Sequence, residues 1–251
     1  MKFSIITCTW NSEPYLDESI GSVLAQDYPD IEYIFVDGGS TDGTLDRIRS
    51  LRRPYTLLEN VRGGISRAMN EGARVATGDV IHHLHGDDYY LHSRVLSEVA
   101  KRFETTGADW VVGRFMRVRN GSRTLDELVQ RDFSFSRLLN GSFFCPHQST
   151  FVSTPLFKSL GGFNENLRYA MDLDLWLRIG LQHRPVLVEE ALGVFREHAG
   201  STSTASVEAI LKARQEELGV RMQYFGRAPF AAATYYARHL VRTRRLRKAQ
   251  P

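Results

Sequence analysis

Asp87 and Asp88 are adjacent carboxylates that follow the apolar pair Val80-Ile81 and the histidines His82, His83 and His85. If that run is a strand, both acids leave a sheet edge within one turn of backbone. Two ionised carboxylates about 5 Å apart repel by roughly 3 kcal/mol at an effective dielectric of 20. A divalent cation is the simplest group to offset that repulsion, and the alternative is a solvated turn, where Asp-Asp is common. Asp37 precedes Gly38-Gly39. An acid there can accept a hydrogen bond from a nucleobase N–H while the glycines let backbone come close, or it can simply hold a turn. A third acidic point is Met171-Asp172-Leu173-Asp174-Leu175-Trp176-Leu177-Arg178. Written as a helix, it puts Asp172 and Trp176 on one face and pairs Asp174 with Arg178 at i,i+4, which leaves Asp172 for chemistry. Leu173, Leu175 and Leu177 also fit strand alternation, so helix and strand both stand.

The elements that must position these acids alternate through the first half. Residues 3–8 form a β-prone run, and residues 13–26 carry Tyr15, Ile20, Val23 and Leu24 at helical spacing. Residues 31–36 read as a second strand, and Ser40 or Thr41 can cap a helix over about 42–51. Residues 55–58, 66–73 and 80–84 read as strand, helix and strand. This order predicts a parallel sheet with helices on both faces, whose ligands bind at the carboxyl ends of the strands. Residues 7–11, Asp37 to Ser40 and Asp87-Asp88 then share one rim. The second half is less regular. Residues 109–113 make a strand that 115–118 continue or pair beside. Residues 132–141 are a mobile or short-helical connection, residues 189–196 close the sheet, and helices over about 207–225 and 229–246 finish the chain.

At 251 residues the chain can bury a core of one large domain or two small ones, and 42% hydrophobic with 24% charged residues is ordinary for a soluble protein. The net charge of +3 hides an asymmetry. After Glu217 there is no acid, but there are Arg221, Arg227, Arg238, Arg242, Arg244, Arg245, Arg247 and Lys248; without those eight the remainder carries about −5. Cys8 and Cys145 are too few and too far apart for a disulfide framework or a zinc site. A first strand beginning at Lys2-Phe3 and the lack of a long apolar run make a cytoplasmic location the expectation.

The rim chemistry suggests a nucleotide. Arg62-Gly63-Gly64 precedes a helix whose first N–H groups can face phosphate. No Gly-x-x-x-x-Gly-Lys-Ser/Thr loop exists, and no Gly-x-Gly-x-x-Gly follows the first strand, so ATP-hydrolysing and hydride-transfer readings lose their main support.

Taken together, Thr7-x-x-Trp10-Asn11, Val36-Asp37-Gly38-Gly39-Ser40-Thr41-Asp42-Gly43-Thr44, Asn70-x-Gly72 with Ala76-x-Gly78, Leu84-x-x-Asp87-Asp88, Gly161-Gly162-Phe163-Asn164, Asp172-x-Asp174-Leu175-Trp176-Leu177-Arg178 and Arg196-x-His198 resemble the family 2 glycosyltransferases. Members of that family found in bacterial polysaccharide assembly are the nearest in kind. The resemblance runs from about residue 3 to 203. It implies an inverting enzyme with a GT-A fold: a Rossmann-like, mostly parallel central sheet with helices on both faces, here with a C-terminal helical extension. The implied division is a glycosyltransferase domain over 1–204, with a nucleotide-binding half to about 113 and an acceptor half over 114–204, followed by an extension over 205–251 with the basic tail.

By position, the resemblance implies that Asp37 contacts the donor's base and that Asp87 and Asp88 serve ribose, diphosphate and a Mg²⁺ or Mn²⁺ ion, with His198 near that metal. Which of Asp87 and Asp88 ligates the metal stays open. Thr7, Asn11 and Arg67 join Asp37 and Asp87 as expected donor contacts. Asp172 matches the carboxylate that deprotonates the acceptor hydroxyl in a single displacement at the anomeric carbon. His147, in Cys145-Pro146-His147-Gln148-Ser149, and Trp176 are expected on the acceptor side. The chain departs from the family's usual pattern at Gly38, where a second acid is common, at His85, where Asp or Asn is common, and at Met171 before the base. The expected partners are a nucleotide-diphosphate sugar and a glycan or lipid-linked acceptor. The tail over 229–248 interleaves Phe230, Tyr235-Tyr236, Leu240-Val241 and Leu246 with cations. It reads as a helix lying on the inner face of an anionic membrane or as a solvated basic terminus, and not as a nucleic-acid site, because the cations are confined to one end. Two competing classes are a non-catalytic sugar-nucleotide-binding module and a sugar nucleotidyltransferase. The latter needs a glycine-rich, basic loop after the first strand, which Thr7-Cys8-Thr9-Trp10-Asn11 is not.

Overall fold

The computed structural model describes residues 1–119, 121–125, 132–198 and 206–248, with side chains of the last helix through 246. The expected boundary at 204 and the side chains of Arg247 and Lys248 lie outside the described residues. Strands β1 (Phe3–Thr9), β2 (Ile31–Asp37), β3 (Thr56–Leu58) and β4 (Val80–His83) alternate with helices α1 (Glu13–Leu24), α2 (Thr44–Arg49) and α3 (Ile65–Val75). These four strands pair in parallel in the order β3-β2-β1-β4. Their near-continuous apolar runs follow from burial on both faces. One face packs Ile6, Ile34, Val36 and Ile81 against Met69 and Ala73 of α3. The other packs Ile5, Tyr33 and Phe35 against Leu16, Ile20 and Val23 of α1.

The second half turns the sheet mixed. After β5 (Tyr89–Tyr90) and α4 (Val95–Thr106), which ends on Gly107 in the left-handed region (φ 63°), comes β6 (Trp110–Arg119). The stretch expected as one strand or two is therefore one, with an added antiparallel partner β7 (Ser122–Leu125). α5 (Phe135–Leu139), capped by the Ser134 hydroxyl, occupies the expected short-helical connection. A 3-10 turn (His147–Ser149) leads into β8 (Thr150–Ser153), which lies antiparallel between β4 and β6. After α6 (Thr154–Ser159), the ambiguous acidic segment is helical: α7 (Met171–Gly180). Burying Leu175, Trp176, Leu177 and Ile179 against the sheet decides between the two periodicities. β9 (Val186–Glu197) runs parallel to β6 through a register shift at Gly113-Phe115 and antiparallel to β5. α8 (Val207–Met222) and α9 (Pro229–Lys248) close the chain over α5 and α7.

Candidate active site

The register of the parallel strands builds the rim. Thr9 pairs with Asp37 at the ends of β1 and β2, and the Gly86 N–H reaches the Cys8 carbonyl at 3.3 Å, which brings Asp87-Asp88 beside the same strand end. Asp37 is fully buried. Its carboxylate accepts from the Gly39 and Ser40 amides at 2.8 Å each, the Ser40 hydroxyl at 2.5 Å and the Thr9 hydroxyl at 2.9 Å. Those four donors fill a carboxylate's usual capacity, so Asp37 shapes the β2 loop from within. Asn11, in the left-handed region at φ 51°, joins that loop: its amide donates to the Ser40 hydroxyl and its side-chain oxygen accepts the Thr41 amide, both at 2.9 Å.

Thr7 is not on the cleft. It is fully buried on the α1 face of β1, its hydroxyl 3.4 Å from that of Tyr33. Position along the strand explains the difference: Thr9, on the same face, ends β1 and reaches Asp37, whereas Thr7 lies two residues deeper under α1. Trp10, by contrast, is 71% exposed and packs its edge beside Gly38. Arg62 lies over Gly39, and Arg67 folds back over Gly63; both are exposed. Exposed cations and an exposed indole thus surround the loop that Asp37 holds.

Asp87 and Asp88 diverge. Asp87 is half-buried and meets the His198 Nε2 at 3.0 Å. Asp88 is buried, and its Oδ1 accepts the Arg196 amide at 3.0 Å. Burial, reinforced by the charge of Asp87 next door, raises the Asp88 carboxyl well above the usual range. Arg196 donates to the Asp87 carbonyl at 3.1 Å, pairs with Glu18, and stacks over Tyr15 and Tyr89 at 5.1 and 5.3 Å. Tyr15 in turn lies against the His198 ring at 4.4 Å. The end of β9 is thereby clamped onto the acidic pair.

A run of rings links this rim to α7. His85 and His147 stack at 4.7 Å with 1° between planes, and His147 lies 6.3 Å from Trp176. His83 packs against Phe157, Phe163 and His147. His82, on the opposite face, stacks on Phe151 at 4.0 Å. Burial holds the imidazoles neutral: His83 is pushed down to about 3, and His85 and His147 are also lowered. The His85 Nδ1 and His147 Nε2 are buried without a hydrogen-bond partner. Pressing this turn against β9 requires Gly193, since a Cβ there would sit 2.2 Å from the Gln148 carbonyl oxygen.

One helical turn before the buried Trp176, Asp172 occupies the same face of α7. Asp174 is taken by Arg178, at 2.9 Å to Nε and 2.8 Å to Nη2. Asp172 instead accepts the Leu173 amide at 2.6 Å. Burial, opposed by that hydrogen bond and reinforced by the charge of Glu217, raises its carboxyl to about 6.

Residues 4–157 match the family described as Glycosyl transferase family 2, well over half of the chain. The chain belongs to that family. It is, accordingly, a glycosyltransferase. It is 30% identical over 231 residues to the PGL/p-HBAD biosynthesis glycosyltransferase of Mycobacterium bovis, covering 88% of this chain and 87% of that protein. To the putative glycosyltransferase EpsE of Bacillus subtilis it is 30% identical over 209 residues, 78% and 73% of the two chains. Among solved structures, S. aureus TarS 1–349 in complex with UDP-GlcNAc superposes with a TM-score of 0.72 at 21% identity, over 91% of this chain and 74% of that one. Mannosyltransferase PcManGT from Pyrobaculum calidifontis, in complex with GDP-Man and Mn²⁺, gives 0.67 at 20% identity, over 94% and 73%. These likenesses establish the GT-A fold of the glycosyltransferase.

Sequence reasoning missed several residues of its site. Trp10 and Arg62 stood in the motifs but were not singled out as contacts, because exposure cannot be read from residue type. The clamp of Arg196 on Glu18 and Tyr15 joins residues far apart in sequence, and so do the contacts of α8 with the segment entering α7.

Proposed function

We propose that this glycosyltransferase moves a sugar, with inversion, from a nucleotide-diphosphate donor to a hydroxyl of a glycan or lipid-linked acceptor, and that it does so with a divalent metal. The observation that carries the reading is the run of rings, His85, His147 and Trp176, between two different carboxylate environments: Asp87 on the rim, and Asp172 with its carboxyl raised to about 6, one turn from Trp176. A carboxylate poised there is ionised at neutral pH yet basic enough to take an acceptor proton. Trp10 offers a flat surface on which a base can stack, beside the loop that Asp37 shapes. Arg62, Arg67 and the first amides of α3 supply positive charge for the diphosphate.

The donor set fits a hard cation that brings part of its own coordination shell. Among the described residues, no three His, Cys, Asp or Glu side chains are arranged to hold a metal ion by themselves. Asp87, the more open acid, with His198 beside it, and Asp88 behind leave the remaining positions to diphosphate oxygens and water, the habit of Mg²⁺ and Mn²⁺. Bound there, the ion would neutralise charge growing on the departing diphosphate. Asp172 then takes the proton from the attacking hydroxyl, and the neutral His85–His147 stack and Trp176 wall the intervening space.

The tail supports contact with an anionic bilayer. No described helix is long and apolar enough to cross a membrane. On α9, however, Phe230 (88% exposed), Tyr236, Leu240 and Val241 face outward among Arg238, Arg242, Arg244 and Arg245. A lipid-linked acceptor would be met at that surface. The test is donor hydrolysis without acceptor: UDP- and GDP-sugars incubated with the metal-stripped chain, with and without Mn²⁺, and released nucleoside diphosphate measured. Mn²⁺-dependent release from one donor supports the proposal. Tight binding of a donor with no release under any condition identifies a non-catalytic module instead.

A further inference from the structure

Helix α7 has no capping side chain of its own, since its N-cap is Ala170. The carboxylate of Glu216, from α8, instead ties down the segment that leads into it. It accepts the amides of Arg168, Tyr169 and Ala170 at 2.9, 2.5 and 2.7 Å, three consecutive donors immediately before Met171. An acid at that position also faces the positive end of the helix dipole. One residue on, Glu217 accepts the Tyr235 hydroxyl of α9 at 2.6 Å. One turn further, Arg221 lies 4.3 Å over the Tyr235 ring and donates to the carbonyls of Leu138 and Leu139 at 2.5 and 2.7 Å. Glu217 and Arg221 share a face of α8, and both act electrostatically on Asp172.

We infer that α8 is a working part of the active site: Glu216 is a positioning residue that sets the first turn of α7, and Glu217 with Arg221 sets the charge that Asp172 feels. This rests on the reading of Asp172 as the base. The groups facing Asp172 are Cys145 from the loop ahead of the 3-10 turn, Glu217 and Arg221 from α8, and, bonded to Glu217, Tyr235 from α9. Asp174, on its own helix, is committed to Arg178. Burial raises both the Cys145 thiol and the Tyr235 phenol, so neither changes charge in the working range. The balance is Glu217 against Arg221. The helix that supplies them lies beyond the residues 4–157 matched by the family.

The test compares pH profiles of kcat for the full chain and its Glu217→Gln variant, with donor affinity and thermal stability measured alongside. Gln keeps an acceptor for the Tyr235 hydroxyl and removes the charge. The acidic limb is expected to move down, by on the order of half a pH unit after solvent screening. An unmoved limb overturns the role of Glu217. Glu216→Ala should lower kcat roughly 10- to 100-fold with donor affinity retained, and Glu216→Gln, with one acceptor oxygen, should fall between. If Glu216→Ala loses only thermal stability and keeps kcat, the positioning role is wrong. Asp172→Asn is the control that separates the two levels. If it retains turnover, the base reading itself has failed; if it is inactive while Glu217→Gln leaves the limb unmoved, only the inference about α8 has failed.

Discussion

Replacing Asp172 with Asn should make the protein more stable while stopping its chemistry. The folded carboxyl is held at about 6 against an ordinary value of 3.8. A difference of about two units corresponds to about 3 kcal/mol at neutral pH, and partial exposure trims this to about 2. The sign follows from proton binding. Between those two values the folded state holds a proton that the unfolded chain releases, so the penalty is absent below about pH 4 and complete above about pH 7. Asn keeps the acceptor for the Leu173 amide and never ionises. The variant should therefore melt about 4–8 °C higher than the parent at pH 7.5, with the gap closing toward pH 4.5. Turnover should fall by about 10²–10⁴-fold, with donor affinity intact. Calorimetric melting at the two pH values, together with kcat, checks both parts. A stability gap that does not depend on pH would refute the burial argument, and undiminished turnover would remove Asp172 from the role of base.

Three further outcomes follow from other sites. Burial opposes ionisation of Glu32, but donation from Ser4 and Thr77, with Lys2 beside it, outweighs this and holds the carboxyl down to about 2. Because that value lies below the ordinary 4.5, the contribution is present above pH 4.5 and lost as pH falls toward 2. Glu32→Gln should cost about 1–3 kcal/mol at pH 7 by urea titration and progressively less below pH 4. Gly72 lets α3 lie close on the sheet: a Cβ there would sit 2.5 Å from Cγ2 of Ile6 and 3.0 Å from that of Val36. Gly72→Ala should therefore destabilise by about 1–3 kcal/mol despite its better helix propensity, and equal stability would show that α3 can shift. Finally, the chain should float with anionic vesicles at low salt and not with neutral ones, at about 1 kcal/mol per cation. Deleting α9 is a poor test because Ala232 and Tyr235 are buried. Reversing Arg242, Arg244 and Arg245 to Glu should abolish flotation while leaving the fold intact.

The parallel half of the fold was legible because its strands are short, apolar on both faces and punctuated by glycine and acid turns, so local pattern and tertiary role agree. The second half was less so. Leu173, Leu175 and Leu177 carry a period of two inside a helix, and only the core they enter settles the matter. The site divides in the same way. Asp87, Asp88, Asp172 and His198 are nominated because each lies within a local motif, and the proposed chemistry rests on them. Thr7 lies two residues short of the end of β1, and only the packing of α1 over that strand shows that its side chain is enclosed. Asp37 shows a different limit. Its type and its glycine neighbours suit both a ligand contact and a turn, and the four donors around it, from Thr9, Gly39 and Ser40, become visible only when β1 and β2 pair.

The least legible feature is how far Asp172 depends on residues that carry no motif. In sequence, Glu216 and Glu217 are two acids on a polar helix, the kind of pair that usually marks a solvated face. Their partners are three backbone amides and one phenol, contributed by segments 46–48 residues upstream and 18 residues downstream. Backbone donors leave no trace in residue type, so no pattern of side chains could have signalled the cap. Physically, the arrangement has a clear rationale. A carboxylate raised to about 6 by burial is destabilising in its ionised form, and a helix end that is uncapped and bears such an acid would fray. Glu216 anchors the segment that enters the helix, through its N-cap amide and the two before it. Burial dominates the proton affinity of Asp172, and Glu217 and Arg221 act on it in opposite directions, the first raising and the second lowering its carboxyl. Within the same fold, those charges can be altered at α8 without touching the rim that carries Asp37, Asp87 and Asp88.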